Sequence, residues 1–106
     1  MKDKCPVSET MEFLAKKWML LLLHRVSIDK TVRFCRLQGE LTDISPRTLS
    51  ERLCELERRG LIIRKNYAEI PPRVEYTLSK KGSELVDECF VPISNWAKKW
   101  DKKTKA

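Results

Sequence analysis

Apolar residues recur at the three- and four-residue spacing of a helix through the first forty positions of the chain. The pattern predicts helices over residues 6–15, 17–26 and 33–41. The first begins with Pro6, a residue favoured in the first helical turn. The second stretch is apolar on nearly every side, so we expect it to be the central buried helix of the fold.

A fourth helix is marked at both ends. Ser45 can cap the free amides of its first turn, Pro46 fits the first helical position, and Gly60 suits the residue just past a helix end. Two short helices joined by a tight turn, the second amphipathic, are typical of a helix-turn-helix motif. We place that motif at residues 33–60, with the helix at 46–59 as its reading helix.

After Gly60 the spacing of the apolar residues changes from that of a helix to that of a strand. Residues 61–67 and 73–78 are rich in β-branched and aromatic side chains, and the second run alternates strictly, which predicts two strands. Between them, Pro71 and Pro72 cannot donate to a strand ladder and belong at a tip. A two-stranded hairpin over residues 61–78, placed directly after a helix-turn-helix, is a wing.

The last segment carries one apolar stripe. After a cap at Ser79, the stripe recurs at helical spacing through Leu85, Cys89, Ile93, Trp96 and Trp100. Pro92 predicts a kink or break near Cys89. Core packing alone would explain the stripe. Two tryptophans at the end of so small a domain nevertheless favour a dimer interface, shared with Met11 and Leu14 of the first helix.

These elements predict a mainly α fold with a small β-hairpin wing, a winged helix-turn-helix that forms a homodimer through its terminal helices. We expect one domain over residues 1–106, because a chain of this length holds little more. Its parts are the N-terminal helices (5–26), the helix-turn-helix (33–60), the wing (61–78) and the C-terminal dimerisation helix (79–101).

The net charge of the chain indicates what kind of partner this fold binds. The chain has 22 Lys and Arg residues against 15 Asp and Glu, a formal net charge of +7. A basic surface attracts polyanions, nucleic acid first and an anionic membrane second. The longest apolar run, Trp18 to Leu23, is far shorter than the about 20 residues of a membrane span. We therefore expect a cytoplasmic protein with no membrane partner.

Catalytic and metal chemistry find little support in the sequence. The cysteines Cys5, Cys35, Cys54 and Cys89 lie far apart without a C-x-x-C pair, which argues against a metal site, and there is no glycine-rich phosphate loop. A small thiol enzyme would need a base beside its nucleophile, but the single histidine, His24, has no acidic partner in register. We predict no enzyme, no metal and no cofactor.

The outward face of the 46–59 helix is polar. At about 100° per residue, Leu49, Leu53 and Leu56 face the core. The opposite face carries Arg47, Ser50, Glu51, Cys54 and Arg58, flanked by Thr48. In helix-turn-helix proteins this helix enters the major groove, where Arg binds guanine, Glu accepts from cytosine, and hydroxyl groups bind bases or phosphates. The alternative reading is that Arg47 and Glu51 merely pair on a solvated face.

The predicted DNA contacts extend beyond this helix. Basic side chains at Arg33, Lys65 and Arg73, with Lys16 and Lys17, supply charge for phosphates, and free amides at residues 45–48 suit a phosphate oxygen. Arg73, beside the proline tip, is the candidate for insertion into the minor groove. The full predicted set is Arg33, Ser45, Arg47, Thr48, Ser50, Glu51, Lys65 and Arg73. A winged helix that binds protein or RNA is the alternative, and a protein-binding helix face should be apolar.

Several strings in the chain resemble one family of regulators. They include Cys5-Pro6-Val7, Lys17-Trp18, Arg33-Phe34-x-x-Leu37, Ile44-Ser45-Pro46-Arg47-Thr48-Leu49-Ser50 and, most specific, Pro71-Pro72-Arg73-Val74-Glu75-Tyr76. Residues 5–100 thereby resemble HxlR-type regulators of the MarR-like superfamily. The resemblance implies a winged-helix homodimer that reads an inverted-repeat operator in double-stranded DNA. It also implies a thiol at Cys5 that senses oxidants or electrophiles, as in several members.

The chain departs from the family pattern at two places. Ala15-Lys16 stands where members usually carry Gly-Gly, which predicts a stiffer corner between the first two helices. Cys54 stands where Lys or Arg is common, so either a phosphate contact is lost or a second sensitive thiol is gained.

The position of Cys5 also favours a reactive thiol on physical grounds alone. It precedes Pro6 at the mouth of a helix, where the dipole and free amides stabilise a thiolate, and Lys2 and Lys4 add positive charge. A lowered pKa together with exposure is what a redox switch needs. The alternative is an ordinary terminal thiol.

Overall fold

The computed structural model describes residues 5–101, which form a helical domain around a small antiparallel sheet. The helices are α1 (Pro6–Leu14), α2 (Met19–Asp29), α3 (Phe34–Glu40), α4 (Pro46–Arg58), α5 (Lys80–Leu85) and α6 (Val91–Trp100). The strands are β1 (Thr31–Arg33), β2 (Ile62–Tyr67) and β3 (Arg73–Leu78). The predicted helix-turn-helix is α3 and α4, and the predicted hairpin is β2 and β3.

The core is formed by the positions that the helical and strand periods place inward. The largest fully buried side chains are Met19, Leu22, Leu23, Leu37, Leu49, Leu53, Leu56, Val26 and Val32. Burial of one such side chain contributes about 1.5–3 kcal/mol to stability. The three leucines of α4 in this set therefore fix which side of that helix faces outward.

α2 is less buried than its sequence predicts. Leu20 and Leu21, expected inside, are 45% and 41% exposed. Their side of α2 forms one wall of an apolar groove of about 680 Å³, and Val86, Phe90 and Ile93 line the other wall. The uniformly apolar run gave no period from which this outward face could be recognised.

The predicted hairpin of β2 and β3 is confirmed, but the sheet has a third strand that the sequence analysis missed, and its strand order is β1–β3–β2. β1 has only three residues, too few for an alternating pattern to appear. Arg33, expected to begin the third helix, is instead the last residue of β1 and the N-cap of α3. The central strand β3 places Glu75 opposite Arg33 on one side and opposite Lys65 on the other.

Both predicted ends of α4 are confirmed. The Ser45 hydroxyl accepts a hydrogen bond from the Thr48 amide at 3.0 Å, and Pro46 is the first helical residue. At the other end Gly60 is left-handed, with φ 76°. The Leu61 amide then reaches back to the Leu56 carbonyl at 3.0 Å, the bond of a Schellman ending.

The C-terminal helix is irregular near Cys89, as expected, although it does not break there. Pro92 has no amide hydrogen, and its ring crowds the carbonyl four residues earlier. The chain accommodates this with a π-helical turn, Val86–Phe90, between α5 and α6. No residue of α6 is buried, and Ile93, Trp96 and Trp100 are 63%, 62% and 65% exposed.

Gly82 is required where α5 packs against the end of α4. It is buried, and a Cβ at this position would collide with the Leu61 carbonyl, whereas a Cβ on Gly39 in α3 would meet no atom within 4 Å. We expect Gly82→Ala to lower the free energy of unfolding by at least about 2 kcal/mol, because backbone must move. Gly39→Ala should raise it by up to about 1 kcal/mol through helix propensity. Urea denaturation measures both, and equal effects would contradict the close approach of Gly82 to Leu61.

Candidate nucleic-acid interface

The outer side of α4 carries the polar face that the sequence predicts. Its exposed residues are Arg47, Ser50, Glu51, Cys54 and Arg58, and Thr48 is half-buried. The three leucines on the opposite side are fully buried. The helix therefore cannot turn this polar face inward without opening the core.

Ser45 and Thr48 organise the start of α4. The Ser45 hydroxyl accepts from the Thr48 amide and donates to the Thr48 hydroxyl oxygen, both at 3.0 Å. These groups already hold each other, so their first role is to cap the helix. The cap fixes the direction of the first turn, where Arg47 lies.

Arg47 and Glu51 form the ion pair that the alternative reading describes. The Arg47 Nε and a Glu51 carboxylate oxygen are 3.4 Å apart, and the two side chains are 88% and 53% exposed. An exposed pair of this kind contributes only about 0.3–0.5 kcal/mol. A base edge or a phosphate can therefore displace Glu51 from Arg47 at little cost.

The three phosphate contacts predicted on the strands lie on one face of the sheet. Arg33, Glu75 and Lys65 are opposite one another in the strand register, and Arg73 lies two residues before Glu75 on the same side. Arg33 and Lys65 are exposed. This face joins basic side chains from all three strands.

Arg73 is held by its neighbours and does not extend freely from the tip. Its guanidinium lies 3.1 Å from the Glu69 carboxylate, 3.5 Å from that of Glu75, and 4.0 Å above the Tyr67 ring. Insertion of this side chain into a minor groove stays a prediction. It would require both ion pairs to open.

The sequence reasoning omitted Arg64 from the site. Arg64 is exposed on β2, opposite Tyr76 in the register. Burial raises the pKa of the Tyr76 hydroxyl, and the nearby positive charge of Arg64 opposes that rise, while Glu57 and Cys54 act from α4. Arg64 and the α4 residues Glu57 and Cys54 therefore all lie near Tyr76. The sequence signal for Arg64 was that a charged residue occupies one of the alternate strand positions whose side chains face the core.

The corner between α1 and α2 is tied to α4. The Lys16 ammonium lies 2.7 Å from the Glu55 carboxylate, and the Arg52 Nε donates to the Lys17 carbonyl at 3.0 Å. The hydrogen bond from Lys16 lowers the pKa of Glu55. Lys16, expected to face phosphate, is thus engaged within the protein. The left-handed residue of the corner is Trp18, with φ 76°, and no glycine is present there.

Cys5 lies just before α1 with an exposed thiol. The backbone amide of Ser8, then that of Val7, then the Ser8 hydroxyl stabilise the thiolate and lower its pKa. Lys2 and Lys4, which the sequence analysis also invokes, are outside the described residues. Cys35, Cys54 and Cys89 are likewise free and exposed.

The predicted dimer residues fall into two groups. Met11, at 64% exposure, lies on the surface, as do the three apolar side chains of α6. Leu14 and Leu85 are half-buried and pack against the core of their own subunit. Together with the exposed Cys89 they line a pocket of about 330 Å³ between α1 and the C-terminal helix.

Within residues 5–101 no cluster of three or more His, Cys, Asp or Glu side chains is placed to hold a metal ion. Over the same residues, no helix combines the length and apolar character needed to cross a membrane.

Comparison with known proteins gives the family. The sequence model of the HxlR-like helix-turn-helix family matches residues 13–105. The helix-turn-helix-type transcriptional regulator YvaP of Bacillus subtilis is 36% identical over 99 residues, which cover 92% of this chain and 90% of YvaP.

Two solved structures share the fold. The reduced form of the transcriptional regulator YodB of B. subtilis has a TM-score of 0.77 at 32% identity, covering 92% of this chain and 95% of that one. The oxidised form of the redox regulator HypR has a TM-score of 0.76 at 32% identity, covering 90% and 96%. The chain therefore belongs to the HxlR-like helix-turn-helix family, and it is a DNA-binding transcriptional regulator of winged-helix fold, not an enzyme.

Proposed function

We propose that this chain is a cytoplasmic homodimer that binds an inverted-repeat operator in double-stranded DNA and responds to oxidants or electrophiles through Cys5. The observation that carries the DNA part is the exposed, arginine-bearing side of α4, which three buried leucines hold outward. α4 lies in the major groove, and the basic face of the sheet lies against the flanking phosphates.

Each predicted contact has a distinct role in this arrangement. Arg47 binds a guanine edge and Glu51 accepts from cytosine, while Ser50 contacts a base or a phosphate. The start of α4, at Ser45 and Thr48, lies against a phosphate. The phosphate contacts of the sheet are Arg33, Lys65 and Arg73. None of the exposed large apolar side chains of the described residues lies on α4, which disfavours a protein-binding face.

The reading role of α4 is tested with Arg47→Ala. We expect it to weaken operator binding by about 1–3 kcal/mol and to relax sequence preference, because a base contact is lost. Lys65→Ala is the matched control and should weaken all duplexes equally, lowering the salt slope by about one. The operator is first selected from random DNA, and affinity is then measured by fluorescence anisotropy against salt. Unchanged operator affinity in Arg47→Ala would contradict the placement of α4, and salt-independent binding would contradict duplex DNA as the ligand.

Two properties of the terminal helices support the homodimer. α6 buries none of its ten residues, and the large apolar side chains Ile93, Trp96 and Trp100 are left exposed for a second copy to cover. α1 contains two Glu and no basic residue, whereas α6 contains two Lys and no acidic residue. Packing of α6 against α1 of a second copy joins complementary charges and covers Met11. The second copy also supplies an α4 for the other half of an inverted repeat.

The dimer is tested with Trp96→Glu. We expect the dimer dissociation constant to rise by at least about 30-fold, as for a central interface residue, because the carboxylate would be buried without a partner. Ile70→Glu is the control, since Ile70 is fully exposed at the wing tip and should leave the dimer intact. Sedimentation equilibrium measures both. A wild-type protein that is monomeric at micromolar concentration would remove the dimer from the proposal.

The redox part rests on the exposed Cys5 thiol and its lowered pKa. A lowered pKa keeps a larger fraction of the thiol ionised as the pH falls toward neutrality, and the thiolate is the reactive form. The structurally similar HypR is named a redox regulator. Cys54 is the second candidate, because it is exposed on the outer side of α4.

The thiol role is tested by treating the protein with diamide or a quinone. We expect operator affinity to change in the wild type, to change less in Cys5→Ser, and to change as in the wild type in Cys54→Ser. Iodoacetamide labelling of Cys5 should retain its rate to lower pH than that of an ordinary thiol, in keeping with the direction of the pKa shift. Identical responses of the wild type and Cys5→Ser would eliminate Cys5 as the sensor.

A further inference from the structure

We propose that Glu75 is a positioning residue for DNA binding: its carboxylate aligns Arg33 and Arg73 for the phosphate backbone and so strengthens binding, although its own charge repels DNA. The inference rests on the proposed function, because it assigns these two arginines to phosphates. Glu75 itself touches no DNA in this arrangement.

Glu75 occupies the centre of the basic face. It lies on the middle strand β3, with Arg33 opposite it on β1 and Lys65 opposite it on β2. Directly opposed residues of an antiparallel pair project from the same face at close range. The Glu75 carboxylate therefore stands among basic side chains from all three strands.

One oxygen of Glu75 contacts both arginines. Its Oε2 lies 3.9 Å from the Arg33 Nε and 3.5 Å from the Arg73 Nε. The Glu75 side chain is only 16% exposed, whereas that of Arg33 is 53% exposed. The carboxylate is thus set below the surface, with an arginine reaching past it toward solvent.

Arg73 is fixed from further sides. Glu69 contacts its guanidinium at 3.1 Å, and the Tyr67 ring lies beneath it at 4.0 Å. Arg33 has Glu75 as its ion-pair partner. Without the Glu75 charge the two guanidinium groups would repel each other across the sheet, and Arg33 would lose that partner.

Alignment before binding favours association. A long arginine side chain loses rotamer freedom when it binds a phosphate, and this loss is smaller if the side chain is already held. An opposing effect is long-range electrostatics, since loss of an acidic group raises the net charge above +7 and should by itself favour a polyanion. The two effects have opposite signs, so a single substitution distinguishes them.

The experiment compares Glu75→Gln, Glu75→Asp and Glu84→Gln with the wild type. Affinity for the selected operator is measured by anisotropy over a range of salt concentrations, and thermal unfolding is followed in parallel. We expect Glu75→Gln to bind about tenfold more weakly, with a salt slope smaller by about one to two. Glu75→Asp should also weaken binding, because the shorter side chain keeps the charge but loses reach. Glu84→Gln, at an exposed position of α5, should bind as tightly as the wild type or more tightly.

A background lacking both arginines completes the test. In Arg33→Ala/Arg73→Ala protein, Glu75→Gln should cause no further loss of affinity. The proposal is overturned if Glu75→Gln binds as tightly as the wild type or tighter, if its salt slope is unchanged, or if its loss persists in that background. Failure of the proposed function is a separate result, visible as a wild type without salt-dependent duplex binding.

Discussion

The burial of Leu49, Leu53 and Leu56 is the constraint on which the rest of the structure depends. With these three side chains at 0–1% exposure, α4 has one allowed rotation about its axis. Everything the helix can offer a ligand follows from that rotation: Arg47 and Ser50 point outward, and Glu55 turns toward the α1–α2 corner. The apolar pattern of the helix thus determines which polar residues face outward. Substitution of a single leucine would weaken both the core packing and the orientation of this polar face.

Polar bonds then link α4 to the helix proposed for dimerisation. The Ser79 hydroxyl donates to the Gly60 carbonyl at 2.5 Å, and the Lys81 ammonium donates to the Arg59 carbonyl at 2.7 Å. Gly82 brings α5 close to the next residue, Leu61. The end of the reading helix and the start of the C-terminal helix are therefore bound to each other. In the proposed dimer, packing of α6 against a second copy would act on α4 through these contacts and would set the spacing between the two reading helices.

The sequence predicts the parts that depend on local chemistry and period. The bounds of α4 follow from Ser45, Pro46 and Gly60. The strand β3 follows from its alternation, and β2 follows from its β-branched and aromatic residues. β1 escapes prediction because three residues carry no period, and the open face of α2 because its run is apolar throughout. The Lys16–Glu55 pair joins residues 39 apart, and the partners of Arg73 depend on strand register. Such contacts exist only once the elements have packed, so charge along the sequence shows which groups are present but not which are free.

For DNA recognition, the net charge overstates how many basic side chains are free to bind. Arg47, Arg33 and Arg73 are each already paired with a carboxylate. For Arg47, the proposed base contact would exchange the Glu51 carboxylate for a base edge, and the gain would be the difference between these two interactions. For an exposed pair the first of these is at most about 1 kcal/mol. An exchange of the carboxylate for a phosphate would gain a modest free energy on any DNA sequence. A bidentate contact of Arg47 with guanine would favour the correct base over a wrong one by about 1–3 kcal/mol. The cost of opening the Arg47–Glu51 pair is the same on every sequence, so in the proposed arrangement discrimination comes from the guanine contact itself and not from net charge.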